Sequence, residues 1–219
     1  MTESSSTNTI DATARRSTDL ETIREIYADQ AEMLDRTNVL NRLITGRYRQ
    51  RLFGTATGRV LDVACGIGTN ARYLPENTEY VGVDVSPAML EKADERIDGA
   101  ERGENLLEMD AQDLEFPADS FDTVISSLST CTFPDPETAL QEMERVCRPE
   151  GRILLVEHGR SDLGPIAHVQ DWRADAHFEK HACRLNQEPV DVVSRAGLSV
   201  HAAPSGLGGI LTAIDARPD

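Results

Sequence analysis

The residues best suited to chemistry fall into three short stretches. The first, Val60 to Asn70, reads VLDVACGIGTN: an apolar run carrying Asp62, a small-residue break with Gly66 and Gly68, then Thr and Asn. A strand turning sharply into a helix leaves backbone N–H groups free, and loops of this kind hold nucleotides or nucleosides. Residues 66–71, GIGTNA, satisfy a loose dinucleotide fingerprint, and Asp84 lies near the distance expected of a ribose-binding acid. The same loop also serves where a strand simply has to turn. The second stretch is Ser126, Ser127, Thr130, Cys131 and Thr132, after a later apolar run, where hydroxyls and a thiol line a site or satisfy a loop. The third holds His158 and, further on, His177, His181 and Cys183 in an H-x-x-x-H-x-C pattern.

Charge separates the two ligand classes of the glycine loop. A pyrophosphate needs N–H donors, a helix N-terminus and no adjacent carboxylate. Here Asp62 precedes the turn, Asp84 ends the second apolar run and Asp110 ends the third. Three carboxylates converging at strand tips repel a diphosphate and suit a ligand bearing an ammonium and a sulfonium, which describes S-adenosylmethionine. Arg72 is the opposing feature, placed to hold a cofactor carboxylate or to face solvent.

His158 directly follows an apolar run and is the candidate general base; hydrogen bonding at a strand end is an equally ordinary use of such a residue. His177 and His181 stand one helical turn apart, a spacing that can chelate a metal, but no matching partner motif accompanies them, so no metal is expected and they are assigned with Trp172 and Cys131 to an acceptor pocket. Tyr27 either closes over the ligand or is a core aromatic.

The elements that must position these residues are legible in the periodicity. Two amphipathic helices, one N-capped by Asp19 and ending near Leu34, the other from Val39 to Leu52, precede the first strand. Strands follow at 59–64, 79–83, 105–109, 122–126 and 152–157, with helices at 70–74, 87–97 and 137–147 between them. A helix at 188–196 then leads to an antiparallel pair, 198–203 and 210–215. The alternation predicts an α/β fold: a Rossmann-like seven-stranded, mostly parallel sheet with an antiparallel last strand and helices on both faces. In such sheets ligands bind beyond the strand carboxyl ends where the winding reverses, the place given to Gly66 and Gly68. A single domain is expected over 19–219, with N-terminal helices at 19–53 and a lid-like insertion at 160–186, after a mobile tail at 1–18.

Composition narrows the partners. The 219 residues carry 38 acids against 22 bases, a net charge of −16, and only Lys92 and Lys180 are lysines. The segment from Asp84 to Glu150 holds most of that excess, on what base rates make a solvated face. A field of this sign disfavours nucleic acid and anionic membranes. Acid excess with little lysine also suits concentrated salt, so a halophilic source is expected, and stability measured against potassium chloride should rise rather than peak at low salt. Cys65, Cys131, Cys147 and Cys183 form no CxxC pair, which indicates reduced thiols. Without a signal peptide or a run of about 20 apolar residues, a soluble cytoplasmic protein with no integral membrane association is expected, its oligomeric state left open.

VLDVACGIGTN, followed by YVGVDVSPAMLEKA, LLEMDAQDLEFPADSFDTVISS and ALQEMERVCRPEGRILLVEHG, resembles the class I S-adenosylmethionine-dependent methyltransferases, over roughly Arg59 to Gly159. The resemblance implies that the loop with Ala64, Gly66 and Gly68 packs on the methionine half of S-adenosylmethionine and that Asp84, beside Val85, binds the ribose hydroxyls. It further implies that Asp110 and Ala111 lie against the adenine, with Met89 on its other side and Ser127 among the cofactor contacts. The product would be S-adenosylhomocysteine. The run from Cys131 to Gly159, with HACRLNQEPVDVVSRAGL, looks like the branch of thiol, phosphatidylethanolamine and menaquinone methyltransferases. Residues 160–183 lack the apolar, aromatic-rich stretch of the membrane-associated relatives, which favours a small soluble methyl acceptor over a lipid or quinone. A non-catalytic nucleotide-binding module and an NAD-dependent oxidoreductase are the rival readings.

Overall fold

The computed structural model describes residues 18–97 and 105–219. The tail expected at 1–18 lies, apart from Thr18, outside the described residues. The chain begins with one helix, α1 (Leu20–Phe53), where two were expected. Asp19 caps it through a carboxylate that accepts from the Thr22 N–H at 2.9 Å. The polar interruption at Asp35 to Asn38 contains neither Pro nor Gly, so the backbone runs through it for 34 residues until Gly54. Buried Ala31, Asn38, Thr45 and Arg49 recur at 7, 7 and 4 residues and mark the face laid against the sheet.

The sheet follows as β1 (Arg59–Val63), β2 (Glu79–Asp84), β3 (Leu106–Glu108), β4 (Phe121–Ser127) and β5 (Cys147–His158), then β6 (Ser199–Ala202), β7 (Ser205–Gly206) and β8 (Leu211–Arg217). Strand order is β3-β2-β1-β4-β5-β8-β6; β1 to β5 pair in parallel, while β8 runs antiparallel to β5, β6 and the two-residue β7, the eighth strand beyond the seven expected. Winding reverses between β1 and β4. The helix expected at 70–74 is a single 3₁₀ turn, Ala71–Tyr73, cut short by Pro75.

Both faces of the sheet are covered. Leu61, Ile153 and Leu155 point to one side and pack with Leu140 and Met143 of α3 (Pro136–Val146) and Val192 and Val193 of α5 (Pro189–Arg195). Their neighbours Val60, Leu154 and Val156 point to the other, against Phe53 of α1 and Ala93 of α2 (Pro87–Arg96). This alternation is why β1 and β5 read as continuous apolar runs. The segment expected as a lid at 160–186 is largely α4 (Gly164–His181), which ends where Ala182 takes a left-handed conformation, φ 51°. Among the described residues, no helix is long and apolar enough to cross a membrane.

Candidate active site

A cavity of about 400 Å³ sits at the carboxyl ends of the strands, between the glycine loop below and α1 and α4 above. The loop after β1 makes its turn through left-handed backbone at Ala64 (φ 53°), Gly66 (φ 54°) and Gly68 (φ 71°). The two glycines do different work. A methyl group placed on Gly66 meets nothing within 4 Å, because it would project into the cavity that Gly66 lines. On Gly68 it would come within 2.9 Å of Ile97 Cδ1 and 3.2 Å of Ala93 Cα, so this glycine lets α2 close against the loop and is not part of the cavity wall.

Asp84, the last residue of β2, is fixed by that loop. Its Oδ2 accepts from the Gly66 N–H at 2.8 Å and its Oδ1 from the Ser86 N–H at 2.9 Å. Burial pushes its pKa up to about 6, against the lowering effect of the Ser86, Gly66 and Val85 N–H groups. Asp110 also faces the cavity, its Oδ1 accepting from the Gln112 N–H at 2.9 Å. Tyr27, Ala64, Val85, Met89, Ala111 and Ser127 line the same space. Of the residues assigned to the acceptor end, His177 and His181 are in the wall as well, with ring centroids 4.8 Å apart.

Five assignments change. Gly68 is the packing glycine just described. Asp62, expected to face the ligand, is wholly buried beneath the loop, where it accepts from Asn70 Nδ2 at 2.9 Å and Tyr80 OH at 3.0 Å. It holds the turn together and does not line the cavity; burial pushes its pKa up to about 7, against the hydrogen bonds from Asn70 and Tyr80 and the charge of Arg49. Trp172 is 79% exposed and does not line the cavity. Cys131 is buried behind the wall at 1% exposure. His158 also sits behind the wall: its Nε2 lies 3.2 Å from Cys131 Sγ and 3.2 Å from Cys183 Sγ, and it does not line the cavity.

Arg49 and Cys183 are the residues that sequence reasoning undervalued. Arg49 is 2% exposed; Nη2 donates to Ser127 Oγ at 3.0 Å and Nη1 to Asn41 Oδ1 at 3.2 Å, which ties α1 to the tip of β4. The spacing of Asn38, Thr45 and Arg49 along one helix face was the available signal. Cys183 lines the cavity and touches both Cys131, at 3.5 Å, and His158. Contact with Cys131, then the hydrogen bond and charge of His158, hold its thiol well below the usual range, at about 4, while Cys131 is pushed up. Burial works to lower the His158 pKa, but the hydrogen bond and charge of Cys183 outweigh it, and the net direction is up.

A methyltransferase domain model matches residues 61–155 of the chain. A phosphatidylethanolamine N-methyltransferase of Cereibacter sphaeroides is 39% identical over 124 residues, covering 56% of this chain and 60% of that protein. A demethylmenaquinone methyltransferase of Thermus thermophilus is 36% identical over 138 residues, covering 58% of this chain and 63% of that one. The chain thus spans less than two thirds of the length of these curated relatives. A solved SAM-dependent methyltransferase from Thermotoga maritima superposes with a TM-score of 0.69 at 18% identity, over 90% of this chain and 100% of that one, which establishes the shared fold. These likenesses agree with what the strand tips and the glycine turn indicate on their own: residues 61–155 match a methyltransferase domain, and the chain shares the fold of the solved SAM-dependent methyltransferase.

Proposed function

We propose that the chain transfers the methyl group of S-adenosylmethionine to a small-molecule acceptor by in-line displacement. The observation that carries this reading is the placement of Asp84. A buried carboxylate, oriented by two backbone donors, stands at the rim of a cavity into which the bare face of Gly66 opens. The cavity suits the cofactor: Gly66 offers a berth that any side chain would fill, Asp84 sets a carboxyl group beside it through the Gly66 N–H, and Asp110 adds a second acidic residue to a wall whose opposing charge is Arg49.

In this reading Asp84 accepts the ribose hydroxyls, Asp110 and Ala111 meet one side of the adenine and Met89 the other, and Ala64, Gly66, Val85 and Ser127 complete the berth. Tyr27, from α1, covers the methionine end. The bound cofactor supplies a methyl group already activated on a positively charged sulfur. The protein has then chiefly to hold the acceptor in line, and such positioning accounts for several kcal/mol of barrier, of the ~7–11 kcal/mol available to well-oriented reactants. A proton acceptor is needed only for a protonated thiol, phenol or ammonium. Because His158 Nε2 is engaged with the two sulfurs, that task falls to His177 or His181 in the wall.

A lipid or quinone acceptor is the second reading. The names of the two relatives support it, and so do Val39, Leu40 and Leu43, exposed on α1. The net charge of −16 and the absence, among the described residues, of a membrane-spanning helix support a cytoplasmic protein that binds no nucleic acid. Calorimetric titration with S-adenosylhomocysteine and with NAD tests the cofactor. The nucleoside is expected to bind and the dinucleotide to give no heat; the opposite result ends the proposal. Labelled-methyl transfer to thiols, amines and phenols, against vesicle-borne phosphatidylethanolamine and quinones, then decides the acceptor class, and no transfer to any of them favours a binding module without turnover.

A further inference from the structure

We infer that Cys131, His158 and Cys183 bind a zinc-type divalent cation in the wall behind the cavity, with one coordination position left toward the cavity. Three separate elements bring these residues together: the loop after β4, the end of β5 and the turn after α4. Their ligand atoms, the two Sγ and His158 Nε2, stand 3.2, 3.2 and 3.5 Å from one another. A tetrahedral zinc with Zn–S of about 2.3 Å and Zn–N of about 2.0–2.1 Å sets S···N at about 3.6 Å and S···S at about 3.8 Å. The triangle has the right shape and needs to widen by only a few tenths of an ångström.

Hydrogen bonds through Cys183 can link the cluster, but they leave the 3.2 Å approach of His158 Nε2 to Cys131 Sγ without a hydrogen of its own. The imidazole Nε2 carries either one hydrogen or one lone pair, so it can satisfy one sulfur and not both. A cation ligated by two thiolates and a neutral imidazole satisfies all three contacts at once. Disulfide formation would bring the sulfurs to about 2.0 Å. It would leave the imidazole without its partners.

The surroundings favour a cation. Glu157 is fully buried next to His158; its Oε1 accepts from the Ser129 and Thr130 N–H groups, and Oε2 has no hydrogen-bond partner among the described residues. Of the positive groups nearby, Arg184 directs Nη1 and Nη2 to the carbonyls of Cys131, Phe133 and Pro134, and Arg49 acts on Glu157. Cys131 is sealed at 1% exposure, whereas Cys183 and the neighbouring His177 line the cavity, so a donor can reach the ion from the cavity side.

The test uses the full chain, reduced with a phosphine, stripped of metal and titrated with Co²⁺ without air. One equivalent is expected to give a thiolate-to-cobalt charge-transfer band that Zn²⁺ abolishes. Cys183→Ser and His158→Gln should each weaken Co²⁺ binding by more than about 100-fold, because loss of outer-shell partners alone costs 10–100-fold. Cys147→Ser, altered at the far end of β5, should keep the band. Absence of the band from unsubstituted protein with a cooperative thermal transition overturns the site. The band reports metal and not turnover. Cobalt binding without S-adenosylhomocysteine binding sinks the methyltransferase reading alone, and the reverse sinks this site alone.

Discussion

Asp84→Ala is expected to weaken S-adenosylhomocysteine binding by ~100-fold or more, the equivalent of losing two charge-assisted hydrogen bonds of ~1.5 kcal/mol each. The side chain acts twice: it offers a carboxylate at the cavity rim, and it holds the Gly66 and Ser86 N–H groups that shape the berth. Asp84→Asn separates these roles, since an amide oxygen can still accept from one N–H but carries no charge. The pH profile adds a second readout. With a pKa pushed up to about 6, Asp84 takes up a proton as pH falls through that value, and affinity for the nucleoside should drop by about tenfold for each further unit. Stability responds in the opposite sense. A carboxyl whose folded pKa exceeds its unfolded 3.8 binds more protons when folded, so acidification from pH 6 toward 4 favours the folded state as far as Asp84 is concerned. Calorimetry at pH 5, 6 and 7.5 beside thermal melts should show affinity falling while this part of stability rises. A flat affinity in native protein, or a slope retained in Asp84→Asn, excludes the assignment.

Asp62→Ala should cost ~2–5 kcal/mol of stability, because it strands two buried donors at ~1–3 kcal/mol each. The donors are Asn70 Nδ2 and Tyr80 OH. At roughly 2–4 °C per kcal/mol for a chain of this size, the melting temperature falls by roughly 10 °C. The loss depends on pH with a definite sign. Asp62 has a folded pKa of about 7, raised chiefly by burial, so between about 4 and 7 the folded protein binds the extra proton and its stability declines as pH rises. The variant lacks that dependence. Its deficit, measured by denaturant titration, should therefore be largest near pH 5 and shrink toward pH 7. A deficit that grows with pH means Asp62 is ionised throughout, held by Arg49 more strongly than burial opposes it.

The fold was legible where periodicity is local and unambiguous. The strands around Leu61, Val81, Ile125 and Leu154 are short apolar runs bounded by Gly, Pro or Asp, and their alternation with helices leaves few topologies. The glycine loop and Asp84 were legible because both lie within one βαβ span and their chemistry is tied to that geometry. The single long α1 was not, since a polar interruption looks like a loop unless the buried face is known to be polar as well; Asn38, Thr45 and Arg49 occupy that face because it meets the strand tips. Asp62 was misplaced for a related reason. Its position beside the turn is readable, but whether its carboxylate points into the cavity or under the loop depends on Asn70 and Tyr80, which reach it from elsewhere. His177 and His181 were read as a pair because they are neighbours on one helix. Cys131, His158 and Cys183 converge only through strand order and the course of α4, which no spacing records.

One amide–imidazole contact spans the top of the cavity: Gln30 Nε2 of α1 lies 3.4 Å from His181 Nδ1 of α4. Its neighbour Tyr27 belongs to the same turn of α1, and Cys183 follows the end of α4, so the latch joins the two halves of the roof. Burial lowers the His181 pKa, and the charges of His177 and Lys180 act in the same direction, against Cys183, which favours a neutral imidazole at this contact. Traffic through that gate would then be governed by how readily the two helix ends separate, so substitutions along the seam should reset release rates while the floor keeps its grip on the nucleoside.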